Sequence, residues 1–199
     1  MSYWLFRDLS HEFINALPAM AAAGLIYWFV RRHLHKKRFG GDFKEVRRKS
    51  RLNEIIGLLL VIWAALVFSS TVISLSGLRY FWRDFSFIPR WRLIPDFITY
   101  GRHIDISHSL VNVIMFMPIG LALPFVLKRP TFGHTVLVGF CFTFYIEYLQ
   151  GFSGQRDGNI DDVICNTLGA IVGFLLYLLM KLIFPKFTAK CMLKAKKSM

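Results

Sequence analysis

The sequence has few acidic residues and few cysteines, and it lacks the short motifs that mark common enzymes. Only 12 Asp and Glu stand against 25 Lys and Arg in 199 residues, which gives a net charge of +13. The three cysteines show no spacing typical of a disulfide framework or a metal site. The chain has no nucleophile elbow, phosphate-binding glycine loop or zincin motif. These familiar catalytic classes are therefore not indicated.

What the chain does have is long apolar runs. Hydrophobic residues make up 55% of it, and Phe alone occupies 20 positions. A helix needs about 20 mostly apolar residues to cross the hydrocarbon core of a bilayer. The sequence therefore predicts an all-α, multi-pass membrane helix bundle with about five transmembrane helices. Their expected limits are about 13–30, with a kink at Pro18, then 54–75, 109–127, 135–150 and 162–184.

The basic residues predict the orientation of the bundle. Segment 31–51 carries ten Lys and Arg against two acids, and basic residues also follow the third span and fill the tail. Because Lys and Arg are retained on the cytoplasmic side, we expect the N-terminus outside and the C-terminus in the cytoplasm. The charge flanks apolar runs, so it favours membrane lipids over nucleic acid as a partner.

These features divide the chain into three parts. Residues 1–53 hold the first span and a basic cytoplasmic loop, residues 54–184 hold a four-helix core, and residues 185–199 form a basic tail. The outer loop of the core, 76–108, is aromatic with interleaved Arg. That composition fits an interfacial segment on the outer leaflet, and it fits an ordinary solvated loop equally well.

Polar side chains are concentrated at those ends of the last three spans that this topology places outside. Such groups are costly within a span unless they face the protein interior or a wet cavity. We therefore expect them to converge in the outer third of the membrane, beside Arg156 in the loop between the last two spans. Gly169 and Gly173 continue one polar stripe and would let another helix approach closely. The converging set is His108, Asn112, Glu147, Gln150, Asp161, Asp162 and Asn166.

A purely structural interpretation accounts for part of this set. Asp161 and Asp162 are suitably placed as acids at a helix N-terminus, where the macrodipole favours negative charge. Asn112 and Asn166 could hydrogen-bond across helices. On this interpretation the polar groups hold the helices together and perform no chemistry.

Two chemical interpretations remain beside it. A buried carboxyl at Glu147 must find a partner such as Arg156 or be protonated, which makes it a candidate for acid–base chemistry. The second interpretation is a divalent cation held by His103, Asp105, His108 and the nearby acids. The spacing of these residues matches no specific metal signature, so the cation is a weak candidate.

Three segments carry motifs that occur together in one family. Residues 112–120 read N-x-x-x-F-x-P-x-G, residues 147–150 read E-x-x-Q, and residues 159–173 follow D-x-x-D-V-x-x-N-x-x-G-x-x-x-G except at the first position. In this order and spacing they resemble the VanZ-like family, named for a teicoplanin-resistance protein. The resemblance covers roughly 86–179, about half of the chain.

Two details refine the resemblance. Arg156 precedes the third motif, as it does in many members of the family. Asn159 stands where the family often has Asp, which removes one carboxylate from the motif, and Asp161 is the local substitute. The resemblance implies a bacterial inner (plasma) membrane protein of the cell envelope. Some members lower susceptibility to lipoglycopeptide antibiotics, and the family supplies no settled reaction.

The leading hypothesis is an outer-leaflet polar pocket that engages a lipid-linked or surface-glycan substrate. In its enzymatic version Glu147 is a general acid/base, Asp161 and Asp162 bind a cation or orient the substrate, and Arg156 contacts an anionic group. Hydrogen bonds to the substrate would come from Asn112, Gln150, Asn166 and His108. The alternatives are a non-catalytic scaffold or binding protein with an envelope partner, and a small proton-coupled transporter.

Overall fold

The computed structural model describes residues 2–39, 43–72, 84–95, 98, 106–127, 131–153 and 156–192, with side chains described for 14–33 and from 51 onward within these ranges. The described chain is mostly helical. Its elements are α1 (Ser2–Phe39), α2 (Phe43–Thr71), β1 (Trp91–Arg92), α3 (Ile106–Val126), α4 (Phe132–Phe152), β2 (Gly158–Asn159), α5 (Ile160–Ile183) and α6 (Pro185–Cys191).

Five helices in the described part of the chain are long and apolar enough to cross a membrane, as the sequence predicted. Their candidate spans are Ile14–His33, Arg51–Thr71, Ile106–Val126, Phe132–Phe152 and Ile160–Ile183. Pro18 does not end α1, and Pro118 and Pro124 lie within α3. A bundle can accommodate such prolines because neighbouring groups satisfy the freed backbone carbonyls.

The closest helix pair is α3 with α5, and glycines make this approach possible. A Cβ atom added at Gly169 would collide with the carbonyl oxygen of Val113, and one added at Gly173 would collide with that of Met117. Gly120 on α3 faces the Ala170 carbonyl in the same way. The two backbones therefore touch along this interface, as the glycine stripe predicted.

Apolar residues fill the space between the helices in two clusters. The first joins α2, α3 and α4 through Val67, Phe116, Ile119 and Ile146. The second joins α3, α5 and α6 through Phe125, Phe174, Tyr177 and Cys191. Phe116 lies one turn after Asn112, and Ile146 precedes Glu147. The first apolar cluster is therefore directly adjacent to these two polar residues, on the side facing the middle of the bundle.

A second polar cluster, which we call the clasp, joins four helices at the opposite end of the bundle. The Arg31 guanidinium on α1 donates to both carboxylate oxygens of Glu54 through Nε at 3.1 Å, and to Asn53 Oδ1 through Nη2 at 2.7 Å. The amide of Asn53, which is buried, donates to the carbonyls of Phe125 and Cys191. The clasp thus fixes α1, α2, the end of α3 and α6 to one another.

We expect Asn53→Ala to expose Cys191, because it removes the hydrogen bond that joins the Asn53 amide to the Cys191 carbonyl at the end of α6. Burial raises the pKa of the Cys191 thiol, and only the thiolate reacts with maleimide. In a protein that also carries Cys141→Ala and Cys165→Ala, Cys191 is the only thiol. With the clasp intact it should react slowly with maleimide, and the pH at which its rate is half-maximal should lie above that of a thiol in the unfolded chain.

The variant should react several-fold faster at neutral pH, measured as the rate of maleimide labelling. Lys181→Ala on the exposed side of α5 is the control and should leave the rate unchanged. Equal rates with and without the Asn53 side chain would show that the clasp does not hold α6.

A short parallel strand pair is the exception to the all-α prediction. Trp91 pairs with Gly158 and Arg92 with Asn159, and Gly158 N–H donates to the Arg90 carbonyl at 2.9 Å. This pairing brings part of the predicted aromatic outer loop onto the turn between α4 and α5. Other aromatic residues of that loop, including Tyr80, Trp82 and Tyr100, lie outside the described residues.

Candidate functional site

Asp162 is the centre of the contacts between α3 and α5. Its Oδ1 accepts a hydrogen bond from Asn112 Nδ2 at 2.8 Å and lies 3.2 Å from His108 Nε2. Helical spacing explains the arrangement, because His108 and Asn112 are one turn apart and present both groups to the start of α5. His108 is exposed, whereas Asp162 is largely covered. This carboxylate therefore has one buried partner and one that solvent or a ligand can reach.

A double-mutant cycle measures the strength of the buried contact. We expect Asn112→Ala and Asp162→Ala each to destabilise the bundle, and their coupling energy to be about 1 kcal/mol, within the range for hydrogen bonds between membrane helices. The measurement is thermal or denaturant unfolding of the four purified proteins. A coupling near zero would mean that the two side chains do not interact in the membrane.

Glu147 is a carboxyl residue within the bundle, and only 2% of its surface is exposed. Its Oε2 accepts a hydrogen bond from the backbone N–H of Asn159 at 3.0 Å. The donor is thus a main-chain group of β2, whereas the sequence suggested Arg156. Arg156 is exposed, yet its charge and that of Asp162 both act electrostatically on Glu147.

The remaining amide residues bond across helices. Asn166 Nδ2 donates to Thr143 Oγ1 at 2.8 Å, and Gln150 Nε2 donates to the Thr71 carbonyl at 3.0 Å. Asn166 Oδ1 is buried and has no hydrogen-bond partner among the described residues. A buried polar atom without a partner costs free energy. Asn166 and Gln150 thus join α4 to α5 and α2, and Asn166 keeps one unused acceptor.

The turn between α4 and α5 is built from both side chains and backbone. Asn159 caps α5, since its side chain accepts from the Asp161 N–H at 3.0 Å. Asn caps a helix as well as Asp does, so the departure from the family motif preserves this function. Asp161 and Asp162 lie in the first turn, as the macrodipole argument predicted. Asp157 pairs with Arg90 at 3.2 Å and with Arg92 at 3.9 Å.

The structure thus places the predicted residues at one end of the bundle but in separate contacts. The largest unit contains His108, Asn112 and Asp162, while Glu147 with Asn159 forms a second unit and Asn166 with Thr143 forms a third. Sequence reasoning missed the contributions of Thr71, Arg90 and Arg92, because these depend on where the outer loop and the end of α2 fold. Two glycines mark the approach of this loop: a Cβ at Gly158 would crowd the Trp91 ring at 3.1 Å, and a Cβ at Gly151 would lie 3.0 Å from the Arg90 carbonyl oxygen.

The described residues contain no group of three or more His, Cys, Asp or Glu side chains that could hold a metal ion. Of the predicted cation ligands, His108 contacts Asp162, while His103 and Asp105 lie outside the described residues. The described site offers the carboxyl groups of Glu147, Asp161 and Asp162, an exposed imidazole and an exposed guanidinium at one end of the bundle.

Comparison with known proteins identifies the core of the bundle. The family model described as VanZ/LLP1 matches residues 55–181, which run from α2 to α5 and include all the contacts of Glu147, Asp162 and Asn166 given above. No curated protein and no solved structure gave a significant match. The match covers more than half of the chain. The chain therefore belongs to the VanZ/LLP1 family and is a multi-pass membrane protein.

Proposed function

We propose that this protein lies in the bacterial inner membrane, with its N-terminus outside and its C-terminus in the cytoplasm, and acts on the cell envelope. The basic segments support this orientation, because segment 31–51 and the tail fall on the same side of a five-span chain. The polar end of α3, α4 and α5 then faces the outer leaflet. A lipid-linked or surface-glycan substrate would approach from that side.

The observation that carries the proposal is the environment of Glu147. A carboxyl residue in a membrane span is expensive and marks a functional site by default. Here it is buried and accepts a hydrogen bond from one main-chain N–H, and Asp162 and the exposed Arg156 lie at the same end of the bundle. Purely structural bonding would be achieved at lower cost by an amide.

In the enzymatic version of this function, each group has a definite task. Glu147 gives a proton to, or takes one from, a hydroxyl or leaving oxygen of the substrate. Asp161 and Asp162 orient the substrate or hold a cation, with His108 as the exposed partner of Asp162. Arg156 binds an anionic group, for which its planar guanidinium is suited.

A non-catalytic scaffold is the second candidate function. The bonds Asn166–Thr143 and Gln150–Thr71 favour it, because both join helices within the bundle. On this view the polar end recruits an envelope partner and performs no reaction. A proton-coupled transporter with Glu147 as its proton site is a third possibility with less support, since no inverted repeat is visible in the sequence.

The test is an envelope assay in bacterial cells with and without the chain. We expect the intact protein to change teicoplanin susceptibility and the level of lipid-linked cell-wall precursors, and Asp162→Asn to remove the change. The substitution keeps the acceptor for Asn112 but removes the charge. Asp84→Asn is the control; it lies in residues 84–95, the described part of the outer loop, which we call the outer segment. A fully active Asp162→Asn protein would favour the scaffold.

A further inference from the structure

Four aromatic residues form a continuous column on the outside of α4. Phe140, Phe144, Tyr148 and Phe152 follow one another at i+4 spacing, with successive ring centroids 6.0, 6.5 and 4.9 Å apart. We call them the aromatic column. At 1.5 Å per residue the column is about 18 Å long. The first three rings are exposed on the surface of the bundle.

The outer segment is attached to this column by further rings. The Trp91 ring stacks on Phe144 with centroids 5.7 Å apart, and the Phe85 ring stacks on Phe152 at 5.8 Å. The Arg90 N–H also donates to the Gly151 carbonyl at 3.0 Å. The column therefore runs from the middle of α4 to the surface and ends beneath a segment that carries arginines.

Two guanidinium groups lie at the surface end of the column. The side chains of Arg90 and Arg92 are 52% and 53% exposed, and both face the half-exposed Asp157. An ion pair in that setting contributes little free energy. A phosphate group binds Arg through two parallel hydrogen bonds and can compete with one carboxylate. Positive charge and flat apolar rings thus occur together on one face.

We propose that this face binds a single membrane lipid, with its phosphate headgroup at Arg90 and Arg92 and its hydrocarbon tail along the aromatic column. The length fits, because one leaflet is about 15 Å deep, half of the roughly 30 Å hydrocarbon core. A tail can lie along the exposed rings of Phe140, Phe144 and Tyr148, which cover most of that depth, whereas the Phe152 ring is covered by Phe85. A helix of a second protein would instead require small residues for close packing, and the column presents large rings.

The inference rests on the proposed function and makes its substrate class more specific. Arg92 is the β-pair partner of Asn159, and the Asn159 N–H binds Glu147. A phosphate bound at Arg92 would therefore be linked to the candidate acid/base Glu147 through a single residue, Asn159, which pairs with Arg92 and donates to Glu147. The structure assigns the substrate as a lipid with a phosphate group, and the aromatic column as its tail-binding subsite.

Photo-crosslinking of the full chain in dodecyl maltoside micelles, which contain no phosphate, tests this assignment. The probe is phosphatidic acid with a diazirine in its acyl chain, and the comparison probe is diacylglycerol with the same modified chain, which lacks the phosphate. We expect the phosphatidic acid probe to label the residues around Phe140, Phe144 and Tyr148 about ten-fold more than the comparison probe does, the size of one charge-assisted hydrogen bond. Inorganic phosphate should reduce that preference only at high concentration, because it lacks the tail.

Variants separate the two parts of the lipid site. Phe144→Leu with Tyr148→Leu should lower labelling several-fold while keeping an apolar surface, and Arg92→Gln should abolish the preference for phosphatidic acid. Leu175→Ala with Leu179→Ala, at exposed positions on α5, is the matched control. Each protein is first checked for an unchanged unfolding temperature. If Phe144→Leu with Tyr148→Leu lowers the unfolding temperature, the single substitution Phe144→Met is used in place of that double variant.

The outcomes distinguish this inference from the proposed function. Glu147→Gln should retain full labelling, since it lies outside the subsite. Equal labelling of α4 and α5 would overturn the lipid assignment, and so would labelling that stays unchanged in the Arg92 and aromatic-column variants. Either result would count against the lipid site even if Glu147→Gln abolishes the envelope effect. Competition by inorganic phosphate as strong as that by the lipid would also overturn it, because the headgroup alone would then explain binding.

Discussion

Glu147→Gln should abolish the effect of the protein on the cell envelope while leaving its fold intact. Gln keeps the size of the side chain and an oxygen that accepts from the Asn159 N–H, at present 3.0 Å from Glu147 Oε2. It cannot exchange a proton. The measurements are the unfolding temperature of the purified protein, expected to be unchanged, and the envelope assay in cells, expected to match cells without the chain.

Glu147→Leu provides the contrast to that substitution. It removes the acceptor as well as the proton, so the partly buried N–H of Asn159 loses its partner. We expect this variant to lose about 1–3 kcal/mol of unfolding free energy, the cost of an unsatisfied buried group, and to lose function too. Full activity of Glu147→Gln in a stable protein would exclude proton exchange at this residue and support the scaffold.

Gly173→Ala should cause a large loss of stability, because the added methyl group enters the contact between the backbones of α3 and α5. The new Cβ would collide with the Met117 carbonyl and lie 2.8 Å from the Leu121 nitrogen, and both are backbone atoms that cannot rotate away. Overpacking of a core typically costs 1–3 kcal/mol, and here two helix backbones must separate. We expect a loss of about 3 kcal/mol, measured by denaturant unfolding in detergent micelles.

Gly133→Ala is the matched control for this prediction. Gly133 lies in the first turn of α4, and a Cβ there would meet nothing within 4 Å. Ala should stabilise the helix by up to about 1 kcal/mol, because Gly is the more flexible residue in the unfolded chain. Opposite signs at the two glycines would confirm the close approach of α3 and α5. Equal, small effects would show that these helices are further apart.

The sequence predicted the parts of the fold that depend on regular patterns. Hydropathy indicated five spans within a few residues of their observed ends, because long apolar runs are a strong local signal. Helical spacing predicted that Gly169 and Gly173 would face another helix, and the α3–α5 contact confirms it. The predicted topology places Asp162 and Asn112 at one depth, and the two side chains form a hydrogen bond.

Contacts made by loops and backbone could not be predicted in this way. The donor to Glu147 is a main-chain N–H, which every residue carries and no sequence pattern marks. The pairing of Trp91 with Gly158 involves two residues on each strand, too short for any periodicity. The sequence predicts that Arg31 and Asn53 belong to a basic loop. It does not reveal the clasp, because the groups that these two residues contact lie far away in the chain.

The central claim is that α3 and α5 bring their polar ends together at one face of the membrane. A short bifunctional thiol cross-linker tests it in native membranes, with Asn112→Cys and Asp162→Cys as the only cysteines. We expect efficient intramolecular cross-linking of this pair, and none between Asn112→Cys and Lys181→Cys at the far end of α5. Cross-linking of the second pair, or of neither, would contradict the arrangement from which the proposed site is built.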